Sequence, residues 1–374
     1  MKYKSIRLGF LTSAVFLIGS GHANAISYTF TNLGTLGGIE SFAKAINTVG
    51  QVGGQSSPAG GPNHAARWDG TKATDLGTLG GTTSNAYAIN AAGQVAGYSY
   101  TAGDGIYHAV RWDGTKATDL GTLGGTFSTA FAINNAGQVA GYATTAGDAA
   151  VHATRWDGTK ATDLGTLGGT SSYANAINAS GQVAGYAYTT GDAVHHAIRW
   201  DGTTATDLGT LGGTISSAKA INAGGQVAGY AFTPGNAAYH ATRWDGTTAT
   251  DLGTLGGTLS IAYAINAASQ VAGISYTAGG ASRATRWDGT SATDLNSFLT
   301  ASEISAGWVL QEATGINDSG SIVGNAWNTN TGVFAAYLLT ASPAVAAVPE
   351  PETYALMLAG LGALGFIARR RKSL

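Results

Sequence analysis

The chain has 374 residues, with 11% charged side chains, 57 glycines and no cysteine. The missing thiols exclude a disulfide framework, a Cys-ligated zinc and a thiol nucleophile. Scarce Glu and Lys, with recurrent Thr, Val, Tyr and Trp, favour short strands joined by Gly-rich turns.

The chain begins MKYKSIRLGFLTSAVFLIGSGHANA. Lys2, Lys4 and Arg7 form a basic region, and Leu8 to Ile18 an apolar core too short to span a bilayer comfortably. Ala23-Asn24-Ala25 is a small-x-small cleavage site. Residues 1–25 thus read as a secretory signal peptide cut after Ala25, with the export machinery as partner.

Residues 26–340 repeat. Trp68, Trp112, Trp156, Trp200, Trp244 and Trp287 follow one another at steps of 44, 44, 44, 44 and 43. A period in this range signals a solenoid, a propeller or an array. In the unit from Gly168 to Leu211, "SSYANAIN" breaks at an Asn/Gly turn and "QVAGYAYT" follows. "HHAIRW", the Asp-Gly hairpin signal in "DGTT", and "ATDLGTL" complete the unit. Four short antiparallel strands per unit predict an all-β fold, the blade of a β-propeller. A parallel β-helix, the alternative, would need shorter coils and fewer hairpin turns.

The Ile-Asn pair that ends each first strand occurs at Ile46, Ile89, Ile133, Ile177, Ile221, Ile265 and Ile316, which predicts seven blades. The last unit ends at "FAAYLLT" without an outer strand, whereas "FTNLGTL" precedes the first "IN" strand. Residues 26–36 are therefore expected to supply the fourth strand of the seventh blade and so remove the open edges.

The strand order is similar to a WD repeat, but Gly-Gly stands where that family has Gly-His, so its histidine-based tetrad is not implied. "LGTLGG", "S-x-A-x-AIN", "GQVAGY" and "HAxRW" resemble the HAF family of extracellular repeat proteins over nearly all of residues 30–340. The resemblance implies an exported repeat protein and no particular activity.

Few residues read as chemistry. His64, His108, His152, His196 and His240 share one repeat slot, so they cannot converge on one metal ion. They are expected to pack between blades. Arg67, Arg111, Arg155, Arg199, Arg243 and Arg286 precede the tryptophans, and Asp75, Asp119, Asp163, Asp207, Asp251 and Asp294 lie on the next strand. Arg–Asp staples across that hairpin are expected, at roughly 0.2–1 kcal/mol each. Loops holding Asp104, Asp148 and Asp192 have one carboxylate apiece, too few for calcium, and read as solvated turns. The body holds three glutamates, Glu40, Glu303 and Glu312, and the irregular unit around Trp308, Glu312 and Trp327 is the one candidate catalytic patch. Atypical terminal repeats are explained first by capping. No catalytic residue, cofactor or metal is assigned.

Three positions vary between copies around the innermost strand, on one face. The first is Glu40, Thr83, Phe127, Ser171, Ile215 and Leu259; the second is Phe42, Asn85, Thr129, Tyr173, Ser217 and Ile261. The third is Lys44, Tyr87, Phe131, Asn175, Lys219 and Tyr263. The loop after "GQVAGY" varies too. Phe42, Tyr87, Phe127, Phe131, Tyr173 and Tyr263 are the candidate partner-binding residues, with drift at unconstrained sites as the alternative.

A linker at 341–347 leads to "AVPEPETYALMLAGLGALGFIARRRKSL". Thr353 to Ala368 is an apolar run, expected as a membrane helix, followed by Arg369, Arg370, Arg371 and Lys372. Basic residues after an apolar segment stay cytoplasmic, which puts the body outside. Val348-Pro349-Glu350-Pro351, the apolar run and the arginines make residues 348–374 resemble a PEP-CTERM sorting signal. That resemblance implies a Gram-negative envelope, an exosortase-type enzyme that processes the tail, and a link to exopolysaccharide and biofilm.

The signal segment holds three of the 19 basic residues and the tail four, while the tail holds two of the 21 acidic ones. The body keeps 12 and 19, formally −7, which argues against nucleic acid as partner. The expectation is a non-enzymatic surface protein, a binding or structural scaffold whose partner is an extracellular polysaccharide or an envelope protein. The alternative is a polysaccharide lyase or hydrolase with its site at the channel mouth.

Overall fold

Each repeat turns its alternating sequence into a small antiparallel sheet, described here for the fourth unit of the computed structural model. Gly168–Ile177 comes first: Ser172, Ala174 and Ala176 are buried, and Tyr173 and Asn175 between them are not. Val183–Thr189, His195–Asp201 and Thr204–Asp207 follow, each antiparallel to its predecessor. The register sets Tyr173 opposite Tyr186, and Trp200 between Val183 and Ala205. The fourth strand stops at Asp207, four residues before the expected end. Gly209 has a φ of 69°, which breaks the extended run, and Leu208 turns inward to 1% exposure.

The core lies between neighbouring sheets. Trp244, wholly buried, packs with Ala218 and Val227 of its own repeat and with Ala184, Ala197 and Leu208 of the one before. Trp68 of the first repeat packs with Val52 and Ala66, and also with Val323 and Ala336 near the other end of the chain. A small side chain faces each large indole, which allows close packing without long apolar residues.

The two ends meet in one sheet, ordered Ser27–Asn32, Val333–Ser342, Ile322–Asn328, Trp308–Ile316. Beyond Asn32, the Leu33 N–H donates to the Ala336 carbonyl at 3.0 Å, the bond that Leu208 makes to Ala197 within its own repeat at 2.9 Å. Phe30 packs on Trp308, ring centroids 5.6 Å apart.

A side-chain relay joins the repeats. The Asn47 Nδ2 donates to the Asn90 carbonyl at 3.0 Å. Asn90, Asn134, Asn178, Asn222 and Asn266 do the same to the next repeat, and Asn317 donates back to Asn47 at 3.1 Å.

The last unit carries an insertion that the repeat does not predict: a 3-10 turn at Leu295–Phe298 and a short helix at Ala301–Ser305. Thr300 and Glu303 form its capping box. Description covers residues 27–342 with Ala359 and Leu361 besides, and Tyr28–Ser342 form one compact unit. The signal segment 1–25 and the Val348–Pro351 and Arg369–Arg371 signatures lie outside the described residues. The apolar segment 353–368 does as well, save Ala359 and Leu361, both helical. Among the described residues no helix is long and apolar enough to cross a membrane, so the expected membrane helix has no support there.

Candidate functional site

The residue two before each Ile-Asn pair points into a shared central opening. Lys44, Tyr87, Phe131, Asn175, Lys219, Tyr263 and Thr314 line it, one from each unit. Tyr142, Tyr173, Tyr186 and Glu312 widen its mouth, and the cavity measures about 460 Å³. That volume falls within the roughly 300–1,000 Å³ of small-ligand sites. Beyond it Ile89, Ile133 and Ile177 line the space next to the asparagine relay, where a second cavity of about 290 Å³ is lined by the seven Ile-Asn pairs.

Strand pairing explains the mouth. The second variable position lies opposite the last residue of "GQVAGY": Asn85 faces Tyr98, Thr129 faces Tyr142, Tyr173 faces Tyr186 and Ser217 faces Tyr230. The equivalent pairs in the first and last units are Phe42–Gln55 and Glu312–Asn325. Aromatic side chains therefore run in an arc. Ring centroids are 5.1 Å apart for Tyr87–Phe131, 5.7 Å for Phe131–Tyr142, 5.2 Å for Tyr142–Tyr173 and 4.8 Å for Tyr173–Tyr186. The arc ends at Lys219, whose Nζ lies 5.8 Å from the Tyr186 centroid and 5.9 Å from that of Tyr230.

Burial tunes these groups. It raises the Tyr87 phenol to about 12, with nearby Tyr98 and Tyr142 adding to it. Tyr263 is pushed higher by burial and then by the Glu312 carboxylate. Burial also lowers the pKa of the Lys219 ammonium. The Asn325 side chain donates to the Glu312 carboxylate at 2.6 Å.

Of the six candidates, Tyr87, Phe131, Tyr173 and Tyr263 line this opening. Phe42 lines an adjoining cavity with Lys44 and Glu312, its ring 5.8 Å from Phe334. Phe127 stands further out, 4.9 Å from Tyr107. Sequence reasoning passed over Tyr98, Tyr142, Tyr186 and Tyr230 because "GQVAGY" reads as constant frame in those four units; cross-strand register is the signal that marks them.

Other expectations need correction. Asp163 pairs with His152 at 2.7 Å, and the four equivalent histidines do likewise, so Arg–Asp staples across the hairpin do not form there. Arg155 instead meets Asp157 on its own strand at 3.2 Å, because residues two apart share a face. Where the sixth unit has Arg283 in the histidine slot, that arginine meets Asp294 at 3.7 Å. Asp104 and Asp192 are not merely solvated: each accepts the blade-entry N–H of Thr82 or Thr170 at 2.7 Å and so ties its loop down. Asp148 does so for Thr126, and hydrogen bonds from Thr126 and Thr144 hold its pKa below the usual value. Glu303 serves the helix cap, and Trp308 packs on Phe30. Of Trp308, Glu312 and Trp327, Glu312 is the one that lines the opening, beside Thr314 of the same unit.

No curated protein matches the sequence. Among solved structures, TolB from Acinetobacter baumannii aligns with 11% identity and a TM-score of 0.43, covering 78% of this chain and 63% of that one. The chain thus spans less than two thirds of that TolB. The SapL1 lectin, solved with alpha methyl fucoside, aligns with 14% identity and a TM-score of 0.38, covering 85% of this chain and 100% of that one. A six-bladed β-propeller lectin from Aleuria aurantia aligns with 15% identity and a TM-score of 0.34, covering 74% and 97%. The PEP-CTERM protein-sorting motif matches residues 347–372, so the chain carries the sorting signal of an exported envelope protein that an exosortase processes.

Proposed function

We propose that the chain is a closed seven-bladed β-propeller of HAF-type repeats that binds a glycan at its central opening, at the envelope of a Gram-negative cell. It does so without catalysis, as a matrix or biofilm component. The observation that carries the reading is the aromatic arc from Tyr87 to Tyr186, exposed to a cavity of about 460 Å³ with polar groups at its ends. Sugar rings stack their C–H faces on such side chains and hydrogen-bond at their edges. The asparagine relay that returns to Asn47 supports closure.

The test is calorimetry of the purified body against oligosaccharides, with Tyr173→Ala and Tyr87→Ala beside the native chain. Affinity should fall about tenfold or more for each variant, while the fold, read by circular dichroism, stays. No binding across the panel would sink the glycan reading, and release of new sugar ends would overturn its non-enzymatic part. Cleavage after Ala25 and processing at Val348–Pro351 belong to the same proposal. Mass spectrometry of the envelope fraction would contradict them by finding Met1 or an intact Arg369–Arg371 tail.

A further inference from the structure

We infer that the ligand is an acidic glycan, and that the Lys219 ammonium receives its anionic substituent while a ring of the sugar lies on Tyr186; this rests on the glycan reading above. The argument begins with charge. The body is formally −7, yet two lysines line the opening against one carboxylate, Glu312. Elsewhere the partly buried cations are matched: Arg155 meets Asp157 and His152 meets Asp163. Lys72, Lys116 and Lys160 are exposed and need no partner. Lys219 is different. Among the described residues no carboxylate lies within salt-bridge distance of it, and two tyrosine faces surround it.

A half-buried ammonium without a counter-ion is costly, because ring faces replace only part of its hydration. Desolvation shows in its lowered pKa. An arriving anion would offset that cost, as the partner carboxylates do for the arginines. Position adds specificity. Lys219 ends the aromatic arc, beside the closely stacked Tyr173–Tyr186 pair, 4.8 Å apart and inclined by 18°. A pyranose lying on Tyr186 would bring a substituent at its edge towards Nζ. Glu312, held by Asn325, is a hydrogen-bond acceptor for hydroxyls and a repeller of anions. One end of the mouth thus favours the charged edge of the sugar and the other its hydroxyls.

The experiment compares oligomers that differ in charge alone: tetragalacturonate, tetraglucuronate and tetramannuronate against their methyl esters, with a sulfated neutral tetrasaccharide as a third arm. Calorimetry should show at least one acid, carboxylated or sulfated, binding about tenfold tighter than its uncharged counterpart. Lys219→Met should erase that preference, and Lys219→Arg should retain it. Acid binding should also weaken between about 50 and 500 mM NaCl with ester binding unchanged, a readout on the native chain that holds even if Lys219→Met fails to fold. Equal binding of acids and esters, or a preference that survives Lys219→Met, overturns the acidic inference and leaves the glycan reading standing. Binding of none of the probes overturns both.

Discussion

At the scale of single residues, the repeated tryptophan is a volume before it is a hydrogen-bonding group. Trp156 is wholly buried, and its indole N–H has no partner among the described residues. Trp156→Phe is therefore expected to cost about 1 kcal/mol, whereas Trp156→Ala should cost about 3–5 kcal/mol, both read by urea denaturation. Gly185 sets the opposite constraint, since an added Cβ would strike the carbonyl oxygen of Tyr173 on the paired strand. Gly185→Ala should cost about 1–3 kcal/mol by the same measurement. Tyr87 brings a pH dependence. Its folded pKa of about 12 exceeds the ordinary 10.0, so its contribution is complete below pH 10 and is lost as pH rises through 12. Absorbance at 295 nm should show a late-titrating phenol that Tyr87→Phe removes. The candidate site was half legible here. Variation between copies pointed to Tyr87, Phe131, Tyr173 and Tyr263, but choosing aromatic residues alone set aside Lys44 and Lys219, which with Glu312 carry the charge of the opening.

Between elements, two kinds of polar link recur, and burial ranks them. Asn134 is buried; its amide reaches Gln138 and the Asn178 carbonyl, and its oxygen accepts the Gln138 and Ala136 N–H groups. His152 and Asp163 are paired, but their side chains are 22% and 43% exposed. Water competes for the second pair and is excluded from the first. Asn134→Ala should thus cost about 1–3 kcal/mol and His152→Ala at most about 1 kcal/mol; equal losses in denaturant titrations would refute the ranking. The four-strand unit itself was readable from alternation and Asp-Gly turns. What composition could not reveal is which acid each base meets, because the choice between Asp157 and Asp163 depends on the side of the strand to which Arg155 points.

For the whole molecule, Ser27–Asn32 pairs with Val333–Ser342 in the terminal sheet and Leu33 bonds to Ala336, so the first strand is part of the folded body. Deleting 27–33 removes buried Leu33 and the Phe30 packing on Trp308, and should lower the unfolding midpoint by about 10 °C or more with aggregation. An unchanged midpoint would fit an open stack instead. The all-β class and its period were plain from the tryptophan spacing; the helical insertion at Leu295–Ser305 was not, because it occurs once and no second copy exposes it. That singular unit bears on how the chain finds its partner surfaces. Copies that read almost alike can dock on the wrong neighbour during refolding, since Trp156 would find much the same seat beside any of several sheets. Tyr28 against Phe298, and Phe30 between Trp308 and Tyr337, have no counterpart in the other repeats. These five contacting aromatic groups act as a key: a misassembled chain that skips a copy can still stack its tryptophans, but it cannot reproduce the contacts that Tyr28 and Phe30 make with the last unit.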